Sequence, residues 1–301
     1  MNSNKATFLM VTVSLAWGMS YLLMKIGLSG IEPFNLIGLR FGIAFIAMIL
    51  LSWKKFIRIN KPTIKYGLLM GGLLFLIFSS LVIGVKYTPA STAGFLASTT
   101  VVFVPIIESI VNRKKPSNSI FISIFMSTVG LYLLTANGNS LHLGKGAFLC
   151  ILTAILYASY IIILDFLACK KEIDLFLVSI IQLGVTSLMG WGFSTVFERP
   201  SLPNNSSQWL AILALGIFCS AYGFVVQPMS QKYLSAVKIG LIFSLEPVFS
   251  ALLSFLFIHE VLEIRGYFGA LLILISILYA QFSSGKKTFK DQNTKLAKEI
   301  Y

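Results

Sequence analysis

"GLIFSLEPVFSALLSFLFIHE", Gly240–Glu260, is one apolar run with a carboxylic acid and a proline set inside it. If the run crosses a bilayer, the fold is a membrane fold and Glu246 is its most expensive residue. Glu246 lies eleven residues after Ser235 and twelve before Ile258. At the helical rise this is roughly 17 Å from either end of the segment, close to the midplane. An ionisable group at that depth costs about 3 kcal/mol on insertion scales, so Glu246 is expected to face an interior cavity and not lipid. Pro247 lacks a backbone N–H and is expected to free the Phe243 carbonyl, loosening the helix beside the acid. The pair is a candidate site for proton coupling and a hinge. The simpler alternative is a Glu hydrogen-bonded to a neighbouring helix, next to a proline that only bends its own.

The rest of the chain supports the membrane reading. Of 301 residues, 56% are hydrophobic and 12% charged, and the mean hydropathy is +0.85, too little charge to cover a soluble surface. Apolar runs of spanning length fall at about 6–27, 34–52, 64–86, 90–112, 119–136, 145–167, 174–197, 208–231, 235–258 and 263–282. The connections between them leave no room for a soluble domain. The first run follows Lys5 but continues through "LAWGMSYLLMKIG" without a small-residue cleavage site, so it is expected to be a retained helix.

The net charge of +13 raises the question of a nucleic-acid partner, and its distribution answers it. With the N-terminus inside, the cytoplasmic loops hold Lys5, the Lys54–Lys65 cluster, Arg113–Lys115, Lys170, Lys171 and Lys232, and the tail holds Lys286–Lys298. Only Lys25, Lys86, Lys145, Arg199 and Arg265 fall on the other side. Short basic loops stay in the cytoplasm, so both termini are expected inside, and the charge reflects topology, with no nucleic acid implied. Cys150, Cys169 and Cys219 lie in or beside spans without disulfide or metal spacing and read as packing residues.

The chain repeats itself. "KYTPASTAG" (Lys86–Gly94) lies over "KYLSAVKIG" (Lys232–Gly240), and Gly130 falls over Ser276 in the same register. "WGMSY" (Trp17–Tyr21) falls over "YASYI" (Tyr157–Ile161). Arg40 corresponds to Gln182, Phe34 to Phe176 and Gly42 to Gly184, these three sharing one register that differs slightly from the other two. Two halves with an odd number of helices enter the membrane in opposite senses, which is an inverted-topology repeat. The expected fold is an all-α polytopic membrane protein of ten transmembrane helices in two inverted five-helix repeats, residues 6–136 and 145–282, with a basic cytoplasmic tail at 283–301. Such a pair of repeats can open a central cavity to either side in turn.

"LAWGMSYLLMKIGL", "LRFGIAFIA" and "LEPVFSALLSFLFIHEVLEIRGYFGALLILISILY" resemble, in order and spacing over about residues 6–282, the EamA family of the drug/metabolite transporter superfamily. The resemblance implies a central cavity, peripheral fifth and tenth helices, and export or exchange of small metabolites, amino acids or toxic compounds across the plasma membrane. It also places Trp17, Tyr21, Tyr87, Tyr157, Tyr160 and Tyr222 in the segments around the cavity, where amphipathic rings suit a flat solute; interfacial anchoring or packing is the alternative for each. The arginine of the helix-two motif is Arg40, which could hold a substrate carboxylate, pair with an acid, or snorkel. The "EP" pair, Glu246 and Pro247, is covered as well. Two features depart from symmetry: Lys114 stands at the counterpart of Glu260, and Pro105 lies one turn later than Pro247 predicts.

Lys238, two turns before Glu246, with snorkelling to the interface as the alternative, and the uncharged donors Gln182 and Gln227 complete the candidate pathway. Glu108 and Asp165 read as rim ion-pair partners of Arg113 and Lys170, with a proton site as the alternative. "HEVLE" (His259–Glu263) lacks the second histidine of a zinc-protease motif, and there is no phosphate-binding loop. No metal, cofactor or catalytic set is expected. The partners are a small-molecule solute and the bilayer, and a homodimer is compatible with the reading. The rival is an intramembrane enzyme acting on a lipid-like substrate.

Overall fold

A computed structural model describes residues 1–56, 59–88, 90–113, 118–135, 144–258 and 264–284. All regular structure among them is helical. The elements are α1 (Ser3–Leu28), α2 (Pro33–Phe56), α3 (Lys61–Tyr87), α4 (Ala90–Ser98), α5 (Thr100–Asn112), α6 (Asn118–Thr135) and α7 (Lys145–Ala168). They continue with α8 (Leu175–Phe197), α9 (Ser206–Ala214), α10 (Gly223–Gln231), α11 (Ala236–Phe243), α12 (Glu246–Ile258) and α13 (Ile264–Ser284). A π-helical stretch, Leu215–Tyr222, joins α9 to α10. His259–Glu263, Lys114 and the chain from Gly285 onward lie outside the described residues.

Starts are set by side chains that accept the first free amides. Asn2 accepts from Lys5 N, Asn60 from Thr63 N, Asp174 from Phe176 N and Asn205 from Gln208 N, each at 2.9–3.0 Å. The start of α2 is capped from another helix. Phe34 N and Asn35 N each donate to the Glu198 carboxylate at 2.9 Å, and Asn35 Nδ2 donates to Ser201 O at 2.6 Å. The end of α8 therefore holds the start of α2. At the opposite end of this antiparallel pair, Asn60 Nδ2 donates to Glu172 O at 2.7 Å and Asp174 N to Thr63 Oγ1 at 3.2 Å.

Six helical segments among the described residues are long and apolar enough to cross a membrane: Ser3–Leu28, Pro33–Lys55, Lys61–Tyr87, Lys145–Ala168, Leu175–Phe197 and Ser206–Gln231. Leu96–Val111, Asn118–Gly130 and Ile264–Ser276 are shorter apolar helices. The expected fourth and ninth spans are helical but interrupted, at Thr99 and at Ser244–Leu245. Beside a largely apolar core, large apolar side chains also cover the outside. Leu50, Leu51 and Leu188 are 72%, 82% and 74% exposed, while Asn35, Gln182, Thr186 and Gln227 are fully buried. Where the solvent is lipid, apolar side chains face out and polar ones pair inside. The chain is a multi-pass, all-α membrane protein.

Helices from the two ends of the chain pack on each other throughout. α2 lies on α8, α3 on α7 and α8, α5 on α7 and α11, α6 on α13, and α1 against α9 to α12. Ser127 Oγ and Ser276 Oγ share a hydrogen bond of 2.5 Å between α6 and α13. Two glycines permit backbone contact. A Cβ at Gly190 would sit 2.7 Å from Gly38 N, and one at Gly18 would sit 2.6 Å from Glu246 O. The first keeps α8 against α2; the second keeps α1 against the start of α12.

The rim ion pairs expected of Glu108 and Asp165 do not form with Arg113 or Lys170 within 4.0 Å. Residues five apart on a helix point to different sides, and Arg113 turns into the left-handed region at φ 51° just past α5. Lys170 lies over the Phe166 and Tyr66 rings instead, 4.6 and 5.3 Å from their centroids. An ion pair joins Lys86 to Glu32, ahead of α2. The three cysteines are free, Cys150 and Cys219 buried and Cys169 exposed.

Candidate solute cavity

The helix carrying Glu246 is not continuous. α11 ends at Phe243, and Ser244 and Leu245 form i→i+3 bonds to Leu241 O and Ile242 O at 3.2 and 3.0 Å. Glu246 then opens α12, which puts Pro247 in the first helical turn, where no intrahelical partner is expected of its missing N–H. Pro247 thus sits at the start of a helix, and no backbone bond to the Phe243 carbonyl crosses the break. Ser244 Oγ bonds back to Leu241 O at 2.6 Å, the competition by which short hydroxyls weaken helices.

The first half breaks at the matching place. In the Lys86/Lys232 register, Ser98 falls under Ser244, Thr99 under Leu245 and Thr100 under Glu246. α4 ends at Ser98 and α5 begins at Thr100. Thr99 and Thr100 hydroxyls bond back to Leu96 O and Ala97 O at 2.5 and 2.7 Å. Both breaks face one central cavity of about 50 Å³, whose wall includes Trp17, Tyr21, Arg40, Tyr157 and Glu246. That volume holds a few waters, against roughly 300–1,000 Å³ for sites that enclose small molecules. The helices here leave the cavity little room.

Trp17, Tyr21, Arg40, Tyr157 and Glu246 each make a hydrogen bond to a named partner. Tyr21 Oη donates to Glu246 Oε2 at 3.3 Å, with Tyr21 4% and Glu246 8% exposed. Trp17 donates from Nε1 to Cys219 O at 2.7 Å, and its ring packs 4.9–5.8 Å from those of Phe243, Phe224 and Tyr157. Arg40 is 1% exposed. It donates from Nε to Ser220 Oγ at 2.6 Å and lies over the Phe78 ring at 4.6 Å. Arg40 therefore neither snorkels nor pairs with a described carboxylate within 4.0 Å. The acceptors for Trp17 and Arg40, Cys219 and Ser220, both lie in the π-helical stretch, whose wider turns re-aim groups that an α-helix would point elsewhere.

Tyr160, Gln182 and Gln227 stand behind the wall. Tyr157 Oη donates to Gln227 Oε1 at 2.7 Å and Tyr160 Oη to Gln182 Oε1 at 2.9 Å, and the two tyrosine rings stack at 5.5 Å. These glutamines hold the rings and do not line the cavity. Tyr222 shares a bond of 2.7 Å with Thr12 Oγ1 away from the cavity. Tyr87 is exposed at the end of α3, and Lys238 is half-buried on α11, outside the cavity wall.

Sequence reasoning did not single out Ser98, Thr100, Thr153, Phe78 or Phe224, which share the wall, and named Phe243 for its carbonyl alone. For Ser98 and Thr100 the signal was present in the repeat register, opposite Ser244 and Glu246. Nothing in the aromatic residues distinguishes wall from core before the helices are packed. Among the described residues no three His, Cys, Asp or Glu lie together in a way that could hold a metal.

Comparison with known proteins agrees with this architecture. The EamA-like transporter family matches residues 4–136 and again 144–281. An uncharacterized transporter of Archaeoglobus fulgidus is 27% identical over 268 residues, covering 88% of this chain and 82% of its own. A probable amino-acid metabolite efflux pump of Salmonella typhimurium is 27% identical over 157 residues, half of each chain. A solved crystal structure, 20% identical, superposes with a TM-score of 0.76 over 95% of this chain and 99% of its own, which is a likeness of fold.

Proposed function

We propose, since the chain belongs to the EamA-like transporter family, that it is a secondary transporter exporting a small organic solute across the plasma membrane by alternating access. In this reading ten helical spans form two inverted repeats, 6–136 and 145–282, with both termini cytoplasmic. The central cavity binds the solute, the breaks at Thr99 and Ser244–Leu245 are paired hinges, and Glu246 binds the proton that inward flow supplies. The observation that carries the reading is the pair of helix breaks at matching positions of the two halves, both facing one cavity that holds a carboxyl group. Discontinuous helices at the repeat interface are where secondary transporters bind their cargo. The efflux pump named above supports the outward direction by analogy.

The test compares the metabolites released by cells over-expressing the protein with those released by cells lacking it. A solute that accumulates in the medium of the first and inside the second, unchanged in structure, supports export. A chemically converted product would instead favour the enzyme.

A further inference from the structure

Two polar groups in the cavity wall lack partners. Arg40 Nη1 and Ser98 Oγ, in residues 1% and 4% exposed, make no hydrogen bond among the described residues. Both residues line the same cavity, Arg40 from α2 and Ser98 from the last position of α4. Buried donors are almost always satisfied in native proteins, and an exception asks for a reason. For Arg40 the requirement is stronger, because a buried cation needs an anion. Its Nε is taken by Ser220, and the Phe78 and Phe41 rings lie 4.6 and 5.4 Å away. Glu246, in the same wall, accepts from Tyr21 and is not within 4.0 Å of Arg40. The cavity therefore keeps its guanidinium and its carboxyl group apart.

Ser98 lies at the break between α4 and α5, in the wall that Arg40 shares. A guanidinium fork matches a carboxylate in shape as well as sign. We propose that Arg40 and Ser98 form a carboxylate subsite, in which the solute's carboxylate accepts from Arg40 Nη1 and Ser98 Oγ near the start of α5. The proposal rests on the reading of this cavity as the solute's path, and it narrows the cargo to organic acids with a free carboxylate. In an amino acid the ammonium would face Glu246 across the cavity; in a plain monocarboxylate that side stays apolar or neutral.

The test is the thermal transition of the full-length protein in lipid nanodiscs, with three probe sets at equal concentration. These are the standard amino acids, their carboxamides, and straight-chain and aryl monocarboxylates. At least one carboxylate is expected to raise the Tm while its carboxamide does not. Ser98→Ala should raise the half-saturating concentration about tenfold, the loss of one charge-assisted bond, and Arg40→Gln should abolish the shift. If Arg40→Gln fails to fold, Ser98→Ala decides, since it removes one oxygen. A shift from amino acids alone identifies a zwitterion as cargo; shifts from monocarboxylates as well show that the carboxylate suffices. The subsite is overturned if acid and carboxamide act alike, if only amines act, if no carboxylate acts, or if Ser98→Ala leaves the half-saturating concentration unchanged. Alkylation of Tyr157→Cys in a background without native cysteines separates the two failures. Protection by a carboxamide or an amine keeps the cavity as the path and removes only the subsite, whereas no protection by any probe removes both.

Discussion

Tyr21 Oη donates to Glu246 Oε2 at 3.3 Å, a contact between residues 225 apart that joins the first helix to the first residue of α12. One hydroxyl thus connects the two repeats at the point where a helix is broken. The bond ties the Glu246 carboxyl group to the face on which α1 packs against α12.

Glu246→Gln keeps the shape and removes the ionisation. Membrane abundance is expected to survive, proton-gradient-driven uptake into inside-out vesicles to be lost, and solute-for-solute exchange to persist. Undiminished gradient-driven accumulation at matched expression would make Glu246 structural.

Tyr21→Phe deletes only the hydroxyl that reaches Glu246. The transport rate is expected to fall by less than in Glu246→Gln, with a pH profile displaced from that of the wild type. Identical profiles would uncouple Tyr21 from the acid.

Gly18→Ala drives a methyl group to 2.6 Å from Glu246 O and 3.0 Å from Ser250 N. Overpacking of this kind costs about 1–3 kcal/mol, so the Tm in detergent should drop and transport should fall with it. Gly192→Ala meets no atom within 4 Å. It should leave the Tm unchanged or raise it, since alanine is favoured over glycine in helices by about 0.5–1 kcal/mol.

Glu198→Ala removes the acceptor for both Phe34 N and Asn35 N. Loss of a cap costs about 0.5–2 kcal/mol. The Tm should fall, and hydrogen exchange should quicken at the first turn of α2 while α3 is unaffected. Glu198→Gln, which still accepts, should lie between.

Reporter fusions check the topology. Fusions after Lys115 and Lys287 should report cytoplasm, and one after Gly144 the outside. The reversed pattern would remove the charge-bias argument and the inverted repeat with it.

The apolar run around Glu246 and the sparse charge of the chain determined, by themselves, that this is a helical membrane protein, because a bilayer leaves the backbone no other way to satisfy its hydrogen bonds locally. The repeat register likewise was legible in the order of side chains, and it carried Ser98 and Thr100 to the level of Ser244 and Glu246. Tertiary structure alone decided which polar residues meet. Trp17, Tyr21, Arg40 and Tyr157 converge on the cavity, yet Gln182 and Gln227, equally polar and equally central, stand behind it as braces. A helix one turn wide presents every face to the sequence alike, and only packing chooses the face that turns inward. The π-helical stretch at Leu215–Tyr222 belongs with these. Its residues carry no local signal for the wider turn, which the long-range bonds from Trp17 and Arg40 accompany. Such bonds exist only once helices distant in sequence lie side by side.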